Sequence, residues 1–391
     1  DVSGSVVYRY NNYDNNGVNN GAQSESDNYK IGLNLSSKVN DYVKFNSRFI
    51  VGSQDNGGFA SLNSKKTNSG ATTSNADGQA DVSLSNAYFG FTAIPNTVVN
   101  IGKQGLTTPY TVATDINGNE QTGTGILALS TMGPVTAGAG YFNNTNLNAS
   151  TEINAGKGRG VGKVINANTA GNTFDGGLDM YVATVQGDLD FVKLEAWYAG
   201  LQNTFGSYTL AATSNLDLAE NAKLGLEARY VNLELNSAVA TGDAAKNSMF
   251  RFAADGKFSI VNARLAYTMT DKKGGLTALD QDAKNTSLGW NITSNGVANA
   301  DYYQAALGAD ILDNLNFTLN YGNLKSKATS NVILTGLNDF KAQEVYGQLT
   351  YKMSKNLNTY LRYGNYEEKV NSTGVKTVDQ NMGRLQVAYT F

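Results

Sequence analysis

The sequence predicts an all-β fold, a closed antiparallel transmembrane β-barrel of 18 strands, with 16 strands as the alternative. Apolar and polar residues alternate along many short segments, as they do when successive side chains of a strand point to opposite faces. The connections between these segments are alternately very short and very long. The composition also favours strands, with 42 Gly, 22 Tyr and 15 Phe but only 3 Pro.

The first segments show the alternation clearly. In DVSGSVVYRY, Val6, Tyr8 and Tyr10 share one face, and Arg9 points the other way. Segments at 29–36 and 43–51 repeat the pattern. A long polar stretch, NNYDNNGVNNGAQSES, separates the first two segments, whereas only VND separates the second from the third. A tight turn and a long loop therefore alternate from the start of the chain.

The same rhythm continues to the end of the chain. Further strands are predicted at 81–93, 97–104, 125–132, 135–144, 177–186, 189–200, 208–217, 223–235, 248–255, 258–270, 301–311, 316–325, 340–353, 357–367 and 380–391. Tight turns are predicted at IPN, MGP, GD, AENA, the Gly256–Lys257 step, DN and SKN. Strands of about 9–14 residues suit a tilted crossing of a bilayer.

A soluble or fibrous multi-sheet β protein would also alternate, so the strand ends decide between the classes. The apolar face repeatedly ends in an aromatic residue, as at Tyr29, Tyr198, Tyr230, Tyr321 and Tyr389. Aromatic residues at strand ends are typical of the girdles that lie at the two membrane interfaces. An open sheet of this size would also leave unpaired edges, which a closed barrel does not have. Both arguments favour a closed barrel that spans a membrane.

The composition excludes several functional classes. The chain contains no His and no Cys, which removes zinc sites, thiol nucleophiles and Ser-His-Asp triads. The net charge of -3 gives no electrostatic support for a nucleic-acid partner. The sequence contains no run of about 18 apolar residues, the length that a transmembrane helix requires. We therefore do not expect an enzyme.

The closing segment GRLQVAYTF fits the last strand of such a barrel. Leu385, Val387, Tyr389 and Phe391 share one face, and Arg384 lies on the other. We expect the first group to face lipid, with Phe391 at the interface and Arg384 in the wet lumen. This ending also resembles the C-terminal signature of bacterial outer-membrane barrels.

Two further stretches resemble known porins. SNAYFGFTAIPNTVVNIGKQ, at 85–104, is similar to the hairpin of Gram-negative general porins that leads into the constriction loop. VSGSVVYRYNNYDNN and the closing strand are similar to the Campylobacter-type major outer-membrane porins. The resemblance implies an 18-stranded homotrimeric porin whose third extracellular loop folds into the lumen.

On this reading one barrel domain spans residues 1–391, and its constriction loop is 105–124. The acids of that loop are Asp115 and Glu120. The cations predicted to face them from the wall are Arg9, Arg48, Lys103 and Arg384. Opposed charges across a narrow opening would sort solutes by polarity and charge. The alternative is that these cations are ordinary solvated lumen side chains.

The loop also contains oxygen ligands at a spacing found in calcium sites. Asp115, Asn117 and Asn119 match the front half of a calcium loop, but Glu120 stands where that loop requires Gly. No cofactor is required by this pattern. The resemblance to the Campylobacter-type family implies Ca²⁺ in the constriction, with Asp115, Asn117 and Glu120 among the ligands.

The leading functional hypothesis is a passive diffusion channel for ions and small hydrophilic solutes. The alternative is a surface adhesin or structural β protein whose long extracellular loops bind host molecules. Expected partners are a homotrimer, outer-membrane lipid or lipopolysaccharide, the permeating solutes and host-surface contacts through the loops.

Overall fold

The computed structural model describes residues 1–18, 24–53, 57–61, 81–147, 176–327 and 339–391. Within these ranges the chain forms one antiparallel sheet that closes because its first and last strands pair. The strands are β1 Val2–Asn15, β2 Ser24–Asn40, β3 Val43–Gly52, β4 Ala60–Ser61, β5 Asp81–Phe91, β6 Thr97–Gly105, β7 Thr122–Met132, β8 Val135–Thr145, β9 Met180–Asp188, β10 Lys193–Leu201, β11 Phe205–Ala219, β12 Ala222–Leu235, β13 Lys246–Phe258, β14 Val261–Thr270, β15 Ala300–Leu312, β16 Leu315–Ser326, β17 Phe340–Lys352, β18 Leu357–Val370 and β19 Lys376–Thr390.

Eighteen of these strands form the wall, which confirms the predicted barrel and excludes the 16-stranded alternative. The remaining one, β4, is two residues long and pairs with Asn28 and Tyr29 of β2. A 3-10 helix, Gly242–Ala245, precedes β13. No helix in the described part of the chain is long and apolar enough to span a membrane.

The closing seam runs the length of β1 and β19. Tyr8 lies opposite Val387, and Arg9 lies opposite Gln386. Beyond the last strand residue, the backbone N–H of Phe391 donates to the carbonyl of Gly4 at 3.0 Å. The backbone at the end of the chain is therefore tied into the sheet, which removes the open edge that would otherwise remain there.

The two faces of the wall differ as the alternation predicts. Outward side chains include large apolar residues that are well exposed, such as Leu265, Leu307 and Tyr363. Inward positions carry polar and charged side chains, and both Arg9 and Arg384 are buried inside the barrel. Phe391 is 44% exposed and stacks on Tyr389. An apolar outer face and a polar lumen are what a membrane barrel requires.

Most tight turns lie where the sequence predicts them, with two corrections. The turn predicted at the Gly256–Lys257 step is wrong: β13 continues to Phe258, and the turn comes at Ser259, whose φ is 55°. Gly256 is needed inside the strand instead, because a Cβ there would meet the ring of Phe258. The turn after β9 comes at 189–192 rather than at GD, with Asp190 in the left-handed region.

Two apolar clusters occupy the interior of the barrel. The larger packs the start of the β6–β7 loop and part of the β14–β15 loop against β8–β13, with Leu106, Tyr110 and Leu279 at its centre. The smaller surrounds Trp290 and Tyr302 near β15–β19. Both clusters bring loop residues into contact with the inward face of the wall, so these two loops carry the candidate site.

Candidate functional site

The loop between β6 and β7, residues 106–121, contacts inward-facing side chains from distant parts of the wall. On one side, the hydroxyl of Tyr110 lies 2.8 Å from Thr209 Oγ1 on β11. On the other side, Arg9 of β1 donates to the carbonyl of Ile116 at 2.9 Å, and Lys30 of β2 donates to the carbonyl of Gly118. The loop is therefore held from both β11 and the β1–β2 hairpin.

Glu120, the predicted constriction acid, is paired with two cations. Its carboxylate lies 2.9 Å from Lys30 Nζ and 2.5 Å from Arg48 Nε, and it accepts a hydrogen bond from Thr114 Oγ1 at 2.7 Å. Burial favours a raised pKa, but Lys30 and Arg48 more than offset it and hold the pKa of Glu120 below its usual value. Glu120 is thus ionised, and the positive charges of Lys30 and Arg48 balance its negative charge.

Asp115 is buried in the same loop, and its hydrogen bonds stay within that loop. It accepts from the backbone N–H groups of Asn117 and Asn119 at 3.0 and 2.8 Å, and from Asn119 Nδ2 at 2.7 Å. Burial, together with the nearby carboxylate of Asp280, raises the pKa of Asp115 to about 7. Near neutral pH the Asp115 carboxyl therefore changes between its neutral and ionised forms.

The predicted calcium ligands do not fit a calcium ion as a set. Both oxygens of Glu120 accept hydrogen bonds or ion pairs from cations, and those of Asp115 accept from Asn117 and Asn119. Across the described ranges, no three acidic side chains come together as a metal site. Ca²⁺ needs six to eight oxygens that are free to coordinate it.

Three inward arginines, Arg362, Arg384 and Arg9, lie on the adjacent strands β18, β19 and β1, and we call them the basic wall. Arg9 donates from Nε to Gln386, and its guanidinium carbon lies 4.4 Å from the ring centroid of Phe59. Arg384 donates from Nε to Asn11 at 2.7 Å. Arg362 donates from Nε to Gln348 at 2.8 Å.

Aromatic rings cover the faces of two of these guanidinium groups. Arg362 lies 5.0 Å from the ring centroid of Trp290 and about as close to those of Tyr346 and Tyr360, and Arg384 lies 5.7 Å from that of Trp290. Within the described residues, none of the three arginines forms an ion pair with a carboxylate. Stacking covers only the face of a guanidinium, so the N–H groups that do not already donate to Gln348, Asn11 or Tyr13 can donate to a carboxylate or phosphate.

The other predicted wall cations are placed differently. Arg48 meets Glu120, as described above, and so lies against the loop. Lys103 does not: it pairs across the sheet with Ala87, two positions from the outward-facing pair of Phe89 and Ile101. Because a strand repeats every two residues, this register turns Lys103 outward. Its amine donates to the carbonyl of Leu84. The prediction that Lys103 lies on the lumen-facing side of the wall is therefore wrong.

A second loop, residues 271–299 between β14 and β15, was missed by the sequence reasoning. Arg251 of β13 holds it by donating to the carbonyls of Lys284 and Thr286, both at 2.6 Å, and to Ser287 Oγ at 3.2 Å. The same guanidinium is paired with Glu227 at 2.6 Å. One arginine therefore connects the loop to an acid of the wall.

The tip of the β14–β15 loop is held on the opposite side. The carboxylate of Glu344 on β17 accepts from the backbone N–H groups of Trp290 and Asn291, each at 2.8 Å. A Cβ at Gly289 would collide with Glu344, so this close approach requires glycine. These contacts place Trp290 beside the basic wall.

The two loops also bind each other. The N–H of Leu279 donates to the carbonyl of Tyr110, and that of Asn285 donates to the carbonyl of Pro109, both at 2.9 Å. Gln121 donates to the carboxylate of Asp280. Together the loops form a continuous structure from β2 and β3 to β17, and they border the basic wall through Ile116 and Trp290.

Comparisons with known proteins agree with this architecture. Residues 1–391 match the family described as Campylobacter major outer membrane protein. A search of curated protein sequences gives no match. Among solved structures, the chain is similar to OccAB3 of Acinetobacter baumannii, with a TM-score of 0.75 and 15% identity over 100% of this chain and 98% of that one.

Two Pseudomonas aeruginosa proteins are also similar in fold. OprD has a TM-score of 0.69 and 16% identity, covering 100% of this chain and 93% of its own. OpdK, in a crystal structure with vanillate, has a TM-score of 0.72 and 14% identity, covering 100% of this chain and 98% of its own. At these identities the likeness establishes the barrel. The family match over the whole length goes further, and the chain belongs to the Campylobacter major outer membrane protein family, porin-like channels that cross the bacterial outer membrane many times as a β-barrel.

Proposed function

We propose that the chain is a passive diffusion channel for ions and small hydrophilic solutes. In this proposal the β6–β7 and β14–β15 loops set the size limit, and the basic wall facing them sets the charge preference. The family and the fold are those of channels rather than enzymes. The observation that carries the proposal is a group of three inward arginines, Arg9, Arg362 and Arg384, with no carboxylate partner among the described residues.

The sign of the preference follows from how the loop acids are used. Glu120 is neutralised by Lys30 and Arg48, and Asp115 is partly protonated at neutral pH. The sequence predicts that both acids face basic residues of the wall across the opening. Beside the loops, Arg9, Arg362 and Arg384 have no ion-pair partner among the described residues, and the carboxylate of Glu344, which acts on Arg362, offsets only part of their charge. We therefore propose a local preference for anionic solutes.

Small carboxylates are the solute class that suits the arginine edges best. A guanidinium edge matches a carboxylate with two parallel hydrogen bonds. The indole of Trp290 beside Arg362 and Arg384 could also contact an aromatic solute. Vanillate, which is present in the OpdK structure, combines a carboxylate with an aromatic ring and is a suitable probe.

The test replaces both Arg362 and Arg384 with Gln and measures reversal potential in a salt gradient. We expect the anion preference to fall, more strongly at low salt because the Debye length is about 30 Å at 0.01 M and about 10 Å at 0.1 M. Arg264→Gln with Asp255→Asn is the matched control, because this pair, 2.6 Å apart, is removed without changing the net charge. In liposome swelling, the double variant should slow vanillate but not its uncharged analogue vanillyl alcohol. Equal selectivity of the wild type and the double variant at low salt would contradict the proposal.

We also propose a homotrimer that assembles through the early strands. Outward positions there are small, as at Gly4 and Ser47, and the ring of Phe391 fills the space above Gly4. A cyclic trimer uses one patch repeated three times. A native mass of one chain in mild detergent would count against it.

Ca²⁺ in the constriction, with Asp115, Asn117 and Glu120 among its ligands, stays a prediction that the family resemblance implies. The hydrogen bonds and ion pairs of Asp115 and Glu120 count against it. The test compares thermal unfolding in calcium and in chelator for the wild type and Asp115→Asn, because a cation that binds only the folded chain raises its unfolding temperature. A calcium effect that Asp115→Asn removes would support the prediction, and equal unfolding temperatures in calcium and in chelator would contradict it.

The adhesin alternative depends on the long extracellular loops. Most of them, at 62–80, 148–175 and 328–338, fall outside the described residues. No contact on the described surface favours host binding over conduction, so the channel is the function we propose.

A further inference from the structure

An apolar patch interrupts the polar inner face of the wall on β6 and β7. Val98 and Leu129 lie directly opposite each other there. Leu129 has the same strand parity as Leu127, which packs against the larger interior cluster, so this pair faces the lumen. Val98 and Leu129 are nevertheless 43% and 38% exposed. Apolar side chains that stay exposed in this way mark a contact surface for another molecule.

Two glycines on the next strand turn this patch into a cavity. Gly138 and Gly140 of β8 lie opposite Leu129 and Leu127, so β8 places no side chain on the inner face at these two positions. A Cβ at Gly138 would meet the side chain of Leu129, and one at Gly140 would meet that of Leu127. A larger residue at either glycine would therefore fill the space.

The far side and the roof of the cavity come from β9, β10 and the β6–β7 loop. Thr184 and Trp197 lie opposite each other on β9 and β10. Leu106, Thr107 and Thr108 of the loop close the cavity toward the long loops, with Thr107 exposed at its edge. The cavity has a volume of about 40 Å³, and all of its lining residues lie in the described ranges. At about 10–15 Å³ for each water, it has room for about three waters.

The cavity offers those waters few partners. Apart from the exposed threonine at its edge, each polar side chain of the lining already has a partner. Thr184 Oγ1 donates to a carbonyl of β10 at 3.0 Å, Thr108 Oγ1 lies 2.8 Å from Thr111 Oγ1, and Trp197 Nε1 donates to Glu195 at 3.3 Å. A buried water needs about two to four polar partners. Waters here are therefore poorly held, and an apolar group that displaces them gains affinity.

We propose that this cavity binds a single aromatic ring of a permeating solute. Three waters take up about 90 Å³ of liquid, roughly the volume of one six-membered ring. The indole of Trp197 gives that ring an aromatic partner, and aromatic pairs gain from edge-to-face or offset packing that an alkyl chain cannot make. The proposal rests on the proposed channel function, because solutes reach the cavity from the lumen. It adds an apolar contact on the side of the barrel across from the basic wall.

Trp197 itself reports binding, because the chain has only 2 Trp. In a Trp290→Phe background Trp197 is the only indole, and a bromine atom on a bound ring quenches its fluorescence. The probe is 4-bromobenzyl alcohol, an uncharged single ring. The comparison is 6-bromohexanol, a flexible alcohol of similar size that carries the same quencher. We expect saturable quenching by the first and only linear, collisional quenching by the second.

Two variants test whether the quenching comes from this cavity. Gly138→Val fills it by displacing Leu129, and Leu129→Asn makes its β7 side polar without changing the lipid face. Each should weaken binding of the ring by about tenfold or more. Gly225→Val is the matched control and should leave binding unchanged. Gly225 also faces the lumen, opposite Asp255 on β13, and a Cβ there would meet its neighbours only at 3.4 Å or more.

The outcomes separate this proposal from the proposed channel. Linear quenching by the ring probe, equal saturation by both alcohols, or equal affinity in Gly138→Val, Leu129→Asn and Gly225→Val would overturn the cavity as a ring site, whether or not the protein conducts. Stepwise currents in planar bilayers test the channel independently. Their absence would overturn the proposed function and the role of the cavity in permeation, even if Trp197 still reports a bound ring.

Discussion

Replacing Glu120 with Gln should loosen the β6–β7 loop without unfolding the barrel. The side chains of Glu120 and Lys30 are 6% and 7% exposed, and that of Arg48 is 18% exposed. Gln keeps the shape and some hydrogen bonding but removes the charge that neutralises both cations. Two buried cations would then face a neutral group.

The magnitude can be worked from these contacts. Removing one partner of a buried ion pair costs about 3–5 kcal/mol. Lys30 keeps its bond to the Gly118 carbonyl, and Arg48 keeps its bond to Asn34 at 3.0 Å, so we take the lower end, about 3 kcal/mol. Because about 1.4 kcal/mol is a tenfold change in an equilibrium constant, local opening of the loop should become about 100-fold more frequent.

Hydrogen exchange measures this opening directly. The N–H of Gln121 donates to the carbonyl of Ala113 inside the loop, so its exchange reports local opening. Asp41→Asn is the control, because Asp41 and Lys38 form a surface pair with side chains 81% and 65% exposed, and such pairs contribute little. Exchange at Gln121 that is no faster in Glu120→Gln than in Asp41→Asn would refute the reasoning.

Three further predictions concern the wall and the second loop. Leu307→Arg on the outer face should lower the free energy of unfolding in lipid vesicles by about 2–4 kcal/mol, and Asn320→Arg on the inner face should cost little. Burial raises the pKa of Asp280 to about 8, so the folded chain holds a proton that the unfolded chain releases near pH 4, and stability should fall from pH 4 to 8. In chelator, Asp280→Asn should make that decline smaller in thermal unfolding curves, and the part that remains comes from Asp115, whose pKa burial also raises. Arg251→Gln removes the donor to two carbonyls of the β14–β15 loop and should raise single-channel conductance, whereas unchanged conductance would show that the loop is held without it.

The wall was predictable because each strand carries its own signal. Alternation of apolar and polar residues fixes which face meets lipid, and it does so locally, within about ten residues. The turn after β13 shows the limit of local reasoning. Gly256 suggested a turn, but it is glycine because the Phe258 ring lies over it, a contact that no residue count reveals.

The inner loops were harder because their partners are far away in sequence. Residues 271–299 are rich in Gly, Asn, Ser and Thr, like the exposed loops, and only a few large apolar residues such as Leu279, Trp290 and Ile292 suggest burial. Nothing in that stretch indicates that Arg251 and Glu344 would hold it from opposite walls. The sequence predicted one of the two cations that pair with Glu120. Arg48 was expected to face the loop, whereas Lys30 lies 90 residues from Glu120 and no pattern around it indicated this contact.

The way the loops are fastened argues for a rigid passage rather than a gate. A gating loop is drawn from segments of low local stability, but here both loops are held at several points by ionised groups. Glu120 holds one against β2 and β3, Arg251 and Glu344 hold the other, and backbone hydrogen bonds to Pro109 and Tyr110 join the two. The arginines beside them are stacked on rings and need not move to meet a solute. Because donors fixed in advance cost no reorganisation when a solute arrives, a passage of the proposed kind would select by charge without waiting for a loop to move.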